Sequence, residues 1–362
     1  MGNLADTPPS FRKVSWTQGT KVIPGYKTGK HLDLRAQHCR VYTIIGGRSS
    51  GETGDMNMLD HFYSEQFAQL MKGRRLTARE QVLLKIGEKI NWSTYSLNLS
   101  NSLHRAFAAS AVALGCPLFY GFANFYVLAA HPHQASLERI NRAKGRPPLQ
   151  VGSITTTREH IPDLFDWRQL PKGLHKEQVL ALIDAFYDMG PFGFRGPAAN
   201  HIPDHLTSLA ENGTRTTQLI ASGYHCPSNR FLQRALAHLE ENYLFITSAN
   251  ISSHLTGQEE PAHYEMKEIQ RAFEHHKGIL MMRHPNEEEA RARYPEYAPM
   301  STSILGFYDL HTDERGRPAL MIERHGSLPL HNIAEVLDDF GLGYVLGPKA
   351  QTRLAQHEYA YS

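Results

Sequence analysis

The sequence predicts an α/β fold with a partly parallel sheet and flanking helices. Three observations carry the class itself. Helical and strand-like segments alternate from about residue 102 onward. The strand-like segments are short apolar runs rich in β-branched and aromatic residues, while the helical ones repeat apolar side chains at three- and four-residue spacing. Composition is that of a globular chain, with 41% hydrophobic and 20% charged residues among 362.

The elements follow in order. Residues 1–37 are polar, carry Pro, Gly and Lys, and read as an extended arm. Residues 40–45 read as a strand running into a glycine-rich loop over 46–54. Helical spacing fills 57–90, where Thr77 and Glu80 form a capping box. A helix over 101–114 ends at Gly115, and apolar strands follow over 116–120 and 125–129. The amphipathic helix 134–143 is stopped by Pro147 and Pro148. A strand over 151–155 comes next, then a helix over 175–189 with Val179, Leu182, Ile183 and Phe186 on one face. A short strand over 216–221, a helix over 228–242, a buried strand over 244–247 and a helix over 265–275 follow. Strands over 304–310 and 319–324 pair across a turn-rich connection, and a helix over 332–340 closes the series. With no repeat and no clear linker, the division expected is an extension over 1–100 packed on a main domain over 101–350, with a tail over 351–362.

Charge and cysteine usage narrow the function classes. Net charge is +2, from 38 basic and 36 acidic residues, so no global field for coating nucleic acid exists. Cys39, Cys116 and Cys226 are far apart and lack a CxxC spacing, which fits a reducing compartment and neither a disulfide framework nor a cysteine-based zinc site. There is no apolar run of membrane-spanning length and no signal-peptide pattern at the N-terminus. The expected location is the cytoplasm.

Four short segments carry chemistry. Lys144 and Arg146 stand at a helix end and pair a point charge with a planar fork, which suits a polyphosphate. Taken alone, a solvated basic helix end is the plainer reading of these two. Thr247, Ser248, Ala249 and Asn250 follow a buried strand, at the edge where α/β sheets place ligands; a strand-end turn with Asn250 as an Asx turn or helix cap reads them equally well. Ser301, Thr302 and Ser303 open a strand and offer hydroxyls to phosphate oxygens or to the sheet edge. Arg324 ends an apolar strand and needs an anionic partner, either a ligand or a structural carboxylate.

Taken together and in this order, the segments Lys144-Gly145-Arg146-Pro147, Ile246-Thr247-Ser248-Ala249-Asn250-Ile251-Ser252-Ser253, Ser301-Thr302-Ser303-Ile304 and Glu323-Arg324-His325-Gly326 resemble the KxRP, TSANxSG, PSTI and RxG motifs of the YrdC family of carbamoyl-adenylate and threonylcarbamoyl-adenylate synthases. The resemblance spans roughly residues 105–347. It implies a YrdC-like twisted mixed sheet with flanking helices and a central basic cavity, and an ATP- and Mg²⁺-dependent enzyme of nucleotidyltransferase type. Such an enzyme forms an adenylate from carbamoyl phosphate, or from bicarbonate plus an amino acid or amine, and releases pyrophosphate. By matching positions, Lys144, Arg146, Ser248 and Asn250 would hold phosphates and the carbamate and so be catalytic. Thr247, Ser301, Ser303 and Arg324 would help hold the nucleotide. The partners implied are small molecules, with tRNA or a downstream transferase as further ones, and no membrane. A non-catalytic nucleotide- or RNA-binding module and a carbamoyltransferase component are the competing readings.

The acyl half departs from the family. The PTDTxYG-like stretch is here Tyr120-Gly121-Phe122-Ala123-Asn124-Phe125-Tyr126, which leaves Asn124 and Tyr126 as the substrate-binding candidates. The GPxT-like stretch, 190–195, lacks its threonine, and an arginine expected near 222–227 is missing. Arg195 is the candidate replacement. A substrate other than threonine is therefore expected. The 46–54 loop lacks a P-loop ending and reads as a surface loop. His201 and His205 flank Pro203, which argues against a helical metal pair, and no metal site is expected.

Overall fold

The computed structural model describes residues 95–252, 260–276 and 278–359. The arm, the 40–45 strand, the 46–54 loop and the 57–90 helix with its capping box lie outside those residues, as does Ser253.

Strand β1 (Leu97–Asn98) leads into α1 (Ser102–Ala113) and the hairpin of β2 (Leu118–Phe122) and β3 (Phe125–Ala130). Helix α2 (Gln134–Ala143), β4 (Ser153–Thr155), α3 (Lys176–Met189), β5 (Phe192–Pro197), β6 (Ser208–Leu209) and β7 (Arg215–Ala221) follow. Then come α4 (Asn229–Leu236), β8 (Leu244–Ser248), α5 (Met266–Ala272), β9 (Leu280–Arg283) and α6 (Glu287–Ala292). The pair β10 (Ile304–Thr312) and β11 (Pro318–Arg324), α7 (Leu330–Asp339) and β12 (Gly343–Leu346) complete the order.

All of these strands join one mixed sheet in the order β1-β9-β2-β3-β8-β4-β7-β5-β10-β11-β12, with β6 paired to β7 at the side. The β4–β7, β5–β10, β11–β12, β1–β9 and β2–β9 pairings are parallel and the rest antiparallel. Leu97 and Asn98 already belong to this sheet, alongside Met282 and Arg283. Strands β2 and β3 are buried along their whole length, as unbroken apolar runs require. Helix α1 starts at Asn101, whose Oδ1 accepts from the Leu103 and His104 amides. Helix α3 buries Val179, Leu182, Ile183 and Phe186, the face that its spacing marked.

Strands β5, β9 and β12 and helix α6 were not legible as elements. In β5 the reason is physical: Gly193 and Gly196 read as turn residues, yet each is a cleft for a neighbouring side chain. A Cβ at 193 would lie 2.7 Å from Ile220 Cδ1, and one at 196 would lie 2.1 Å from the Phe307 ring. The glycines let large side chains close over the strand.

Helix α2 also ends for a different reason than the prolines. Gly145 sits at φ +69°, its N–H reaches Arg142 O at 3.0 Å, and the Arg146 N–H reaches Asn141 O at 2.7 Å. These two bonds make a Schellman stop. The stop leaves Lys144 on the last turn and turns Arg146 out of the helix, before the proline pair begins.

Candidate active site

The strand registers decide which side chains share a face. Val127 lies opposite Ser248, Ser153 opposite Ile246, and Arg195 opposite Gln218. With a side-chain period of two, Phe125, Val127, Ile246, Ser248, Ser153, Gln218, Ile220 and Arg195 stand on one face. That face walls a cavity of about 570 Å³, a size suited to a small-molecule ligand. Asn250 and Ala262 line it from the segments after β8. Ser301, Thr302 and Arg324 line it from the β10 and β11 ends, and Lys349, Thr352 and Arg353 from the chain after β12. Among the described residues its charged lining is four cations, Arg146, Arg324, Lys349 and Arg353, against one carboxylate, Glu260.

Of the expected site residues, Arg146, Thr247, Ser248, Asn250, Ser301 and Arg324 all reach this cavity. Arg146 donates from Nη1 to Thr247 Oγ1 at 2.8 Å, so the guanidinium is oriented along the end of β8. Arg324 donates from Nε to Thr302 O at 2.7 Å and from Nη2 to Thr302 Oγ1 at 3.1 Å. The fork is therefore fixed by the chain that opens β10. Gly326 permits this clasp, because a Cβ there would lie 2.2 Å from Ser301 O.

Lys144 is placed differently from the expectation of a direct phosphate ligand. It is 0% exposed, and its Nζ donates to Ser248 O, to Asn250 O at 2.6 Å and to Asn250 Oδ1 at 3.0 Å. The ammonium braces the 248–250 backbone from behind the cavity wall. Asn250 is equally committed: its Oδ1 also accepts from Ser248 Oγ, and its Nδ2 donates to Ile251 O at 2.9 Å and Glu260 O at 2.8 Å. Lys144, Ser248 and Asn250 thus form one network that shapes the loop.

Three further expected residues turn away from the cavity. Ser303 is fully buried; its Oγ donates to Leu328 O at 3.0 Å and accepts from the Gly326 N–H at 3.0 Å. Asn124 lies in the β2–β3 turn and donates from Nδ2 to Tyr297 O at 2.7 Å. Tyr126 is one residue out of phase with Phe125 and Val127, so it points to the opposite sheet face. There it donates to Glu287 Oε1 at 2.6 Å and accepts from the His284 N–H at 3.1 Å. Arg195 stands on the cavity face but pairs through Nη1 with Glu323 Oε2 at 3.0 Å.

Sequence reasoning missed the chain after β12. Arg353 donates from Nε to Gly326 O at 3.0 Å and from Nη2 to Ser327 O at 2.7 Å, and burial holds its pKa below the usual guanidinium value. Beyond it, His357 stacks on His263 with ring centroids 4.4 Å apart, and Tyr359 OH accepts from the Tyr264 N–H at 3.1 Å. Burial, then His357 and Lys144, push His263 down to about 3. The signal available was slight: two cations four residues apart, Lys349 and Arg353, then two rings at alternate positions. Among the described residues no cluster of three or more His, Cys, Asp or Glu side chains is arranged for a metal ion. Nor is any of their helices long and apolar enough to cross a membrane.

No family model matches the chain, and no curated protein does. Solved structures do. The fold is similar to that of a P. abyssi Sua5 variant. Identity to it is 18% and the TM-score 0.48, over 70% of this chain and 65% of that one, so this chain spans under two thirds of the Sua5 length. E. coli YciO is 15% identical with a TM-score of 0.41, over 58% of this chain and 86% of YciO. Full-length HypF in its phosphate- and nucleotide-bound form is 14% identical with a TM-score of 0.38, over 61% of this chain and 28% of HypF. At these identities the likeness is one of fold, and any activity has to be argued from the cavity.

Proposed function

We propose that this cavity binds ATP with Mg²⁺ and joins a carbamate-like acid to the α-phosphate, releasing pyrophosphate. One observation carries the reading: Arg146, Arg324, Lys349 and Arg353 arrive from three separate stretches of chain and line one cavity beside the Thr247, Ser248, Ser301 and Thr302 side chains. Cations and hydroxyls in that combination suit a polyphosphate, and two of the three arginines are pinned by main-chain carbonyls before any ligand enters. The four motifs shared with the YrdC family point the same way.

The chemistry needs no protein nucleophile. A carboxylate oxygen of the acid attacks the α-phosphorus, the bond to the β-bridging oxygen breaks, and pyrophosphate leaves. The arginine forks offset the charge that builds on the α-phosphate oxygens, and the sheet wall holds the acid in line. Magnesium would offset charge on the leaving group and would draw its ligands largely from the polyphosphate; Glu260 is the carboxylate among the described lining residues. The acid differs from the threonine-derived one of the family. The chain at 120–126 supports this, since it is a buried hairpin with Asn124 bonded to Tyr297 O in its turn and Tyr126 engaged with Glu287 on the opposite face of the sheet.

The test is pyrophosphate release from ATP and Mg²⁺, with bicarbonate plus pooled amino acids in one arm and carbamoyl phosphate in the other. Release in one arm is expected, without preference for threonine. Arg146→Ala and Arg324→Ala should each lower it about 100-fold while the protein stays folded. Silence in both arms, with ATP still bound, would replace this reading with a nucleotide-binding module.

A further inference from the structure

One row of polar groups on the cavity face takes no part in the phosphate chemistry above. It runs across four strands. Gln218 of β7 lines the cavity, flanked by the apolar side chains of Ile220 and Ile246. Its Nε2 donates to Ser153 Oγ on β4 at 2.6 Å, and its Oε1 accepts from Arg195 Nη2 on β5 at 3.3 Å. Arg195 is held in turn by Glu323 on β11. Strand β10 lies between β5 and β11, and Gly306 is the residue opposite Arg195 there. A Cβ at 306 would lie 3.1 Å from Glu323 Oε1, so the missing side chain keeps the path from Glu323 to Arg195 open.

This row fixes the orientation of the Gln218 amide. An arginine can only donate, so Oε1 must face Arg195 and Nε2 must face Ser153. One N–H of the amide and one lone pair of its oxygen remain beyond these two bonds. The Arg195–Glu323 pair is neutral as a unit, so this part of the wall presents an oriented amide without net charge, unlike the cationic lining of Arg146, Arg324, Lys349 and Arg353. A group that offers a donor and an acceptor side by side matches a primary amide in two hydrogen bonds.

We propose that Gln218, oriented by Ser153 and by the Glu323–Arg195 pair, selects the acyl substrate by pairing with a carbamoyl or primary-amide group. Gln218 is the specificity-determining residue, and Arg195 and Glu323 are positioning residues. The proposal rests on the cavity being the adenylate-forming site, but its test does not depend on turnover. Leaving a fixed amide without its complement is the kind of mismatch that yields strong discrimination.

The experiment compares two probes by calorimetry on the full chain: phosphonoacetamide and ethylphosphonate, which share the phosphonate and differ in the amide. The protein should bind phosphonoacetamide at least about tenfold more tightly. Gln218→Leu should erase that preference and leave ethylphosphonate affinity within about twofold. Arg195→Met should reduce the preference by a smaller factor, because the amide keeps its Ser153 anchor. Where pyrophosphate release is measurable, Gln218→Leu should raise KM for the acyl donor and leave KM for ATP unchanged. Equal binding of the two probes by the unaltered protein overturns the proposal, as does a preference that survives Gln218→Leu. Silence in the pyrophosphate assay with the amide preference intact would instead count against adenylate formation alone. Melting curves on each variant confirm that affinities are read on folded protein.

Discussion

The sheet wall and the loop side of the cavity are built from opposite materials. On the wall, Phe125, Val127, Ile220 and Ile246 surround Ser153 and Gln218, each placed by strand register. On the loop side, Arg146, Arg324, Lys349 and Arg353 come from element ends and from the chain after β12. The wall takes its shape from the sheet ladder and from packing, while its polar row of Ser153, Gln218, Arg195 and Glu323 orients the Gln218 amide. The loop side holds several cations near one another in partly buried positions, which is costly unless each finds an acceptor. The structure supplies acceptors largely from the backbone: Thr302, Gly326 and Ser327 carbonyls for Arg324 and Arg353, the Thr247 hydroxyl for Arg146, and Ser248 and Asn250 carbonyls for Lys144 behind them. Rigidity on the loop side is thus a matter of hydrogen bonds, and on the wall a matter of packing.

The sharpest way to break that contrast is Lys144→Met. The thioether keeps the volume of the stem but leaves two carbonyls and the Asn250 Oδ1 without their donor in a buried place. Recovered desolvation of the ammonium offsets part of the loss, so a net destabilisation of about 2–4 kcal/mol is expected by denaturant titration. Nucleotide affinity should fall with it, because Ser248 and Asn250 lose their brace. A change below about 1 kcal/mol would mean that the buried charge contributes nothing net and that the loop is held by packing after all.

Acid should weaken both regions by a common route. His263, beside the loop side, is held down to about 3, first by burial and then by His357 and Lys144. His284, under the sheet on the far face, is held down to about 4, first by burial. Its ring packs on Gly121, where a Cβ would lie 2.5 Å from it. A histidine whose folded pKa lies below the unfolded value of about 6.5 binds its proton in the unfolded chain first. Its contribution is therefore complete above pH 6.5 and is lost as pH falls toward the folded value. Each should reduce stability by up to about 1.4 kcal/mol per pH unit between pH 6 and 4.5. Asp166, also depressed, by its hydrogen bonds from Arg168 and Gln169, acts only at lower pH. His263→Gln should lower the slope by up to about 1.4 kcal/mol per pH unit, measured as unfolding free energy against pH. An unchanged slope would place the acid sensitivity elsewhere than in the loop side.

How much of this was legible follows the same division. The fold class and several cavity-lining residues could be read because they carry local signals: alternating apolar runs, a basic pair at a helix end, hydroxyls after a buried strand. Arg146, Thr247, Ser248, Asn250, Ser301 and Arg324 all reach the cavity. The wall was harder. Asn124 and Tyr126 were read as substrate groups because they are polar or aromatic at a motif position, but a strand sends alternate side chains to opposite faces, and Phe125 and Val127 took the cavity face. Gln218 carries no signal at all in sequence; its role comes from Arg195 lying opposite it, a pairing between residues 23 apart in the chain. Strand β5 was hidden by glycines whose purpose is to admit Ile220 and Phe307.

Ser303 offers the finest test of the boundary between the two regions. The motif resemblance casts it as a nucleotide-binding hydroxyl, next to Ser301 and Thr302, which do line the cavity. The structure commits its Oγ twice inside the protein, as donor to Leu328 O and as acceptor from the Gly326 N–H. Those bonds pin the turn that carries Arg324 toward Thr302, so Ser303 belongs to the scaffold behind the arginine. Ser303→Ala should therefore cost about 1 kcal/mol of stability, chiefly through the buried Gly326 N–H left without its acceptor. Affinity for ATP should stay within about twofold, since the Arg324 fork is held by the Thr302 carbonyl and hydroxyl and not by Ser303. A tenfold loss of ATP affinity at unchanged stability would move Ser303 from scaffold to ligand and extend the loop side of the cavity one residue deeper into β10.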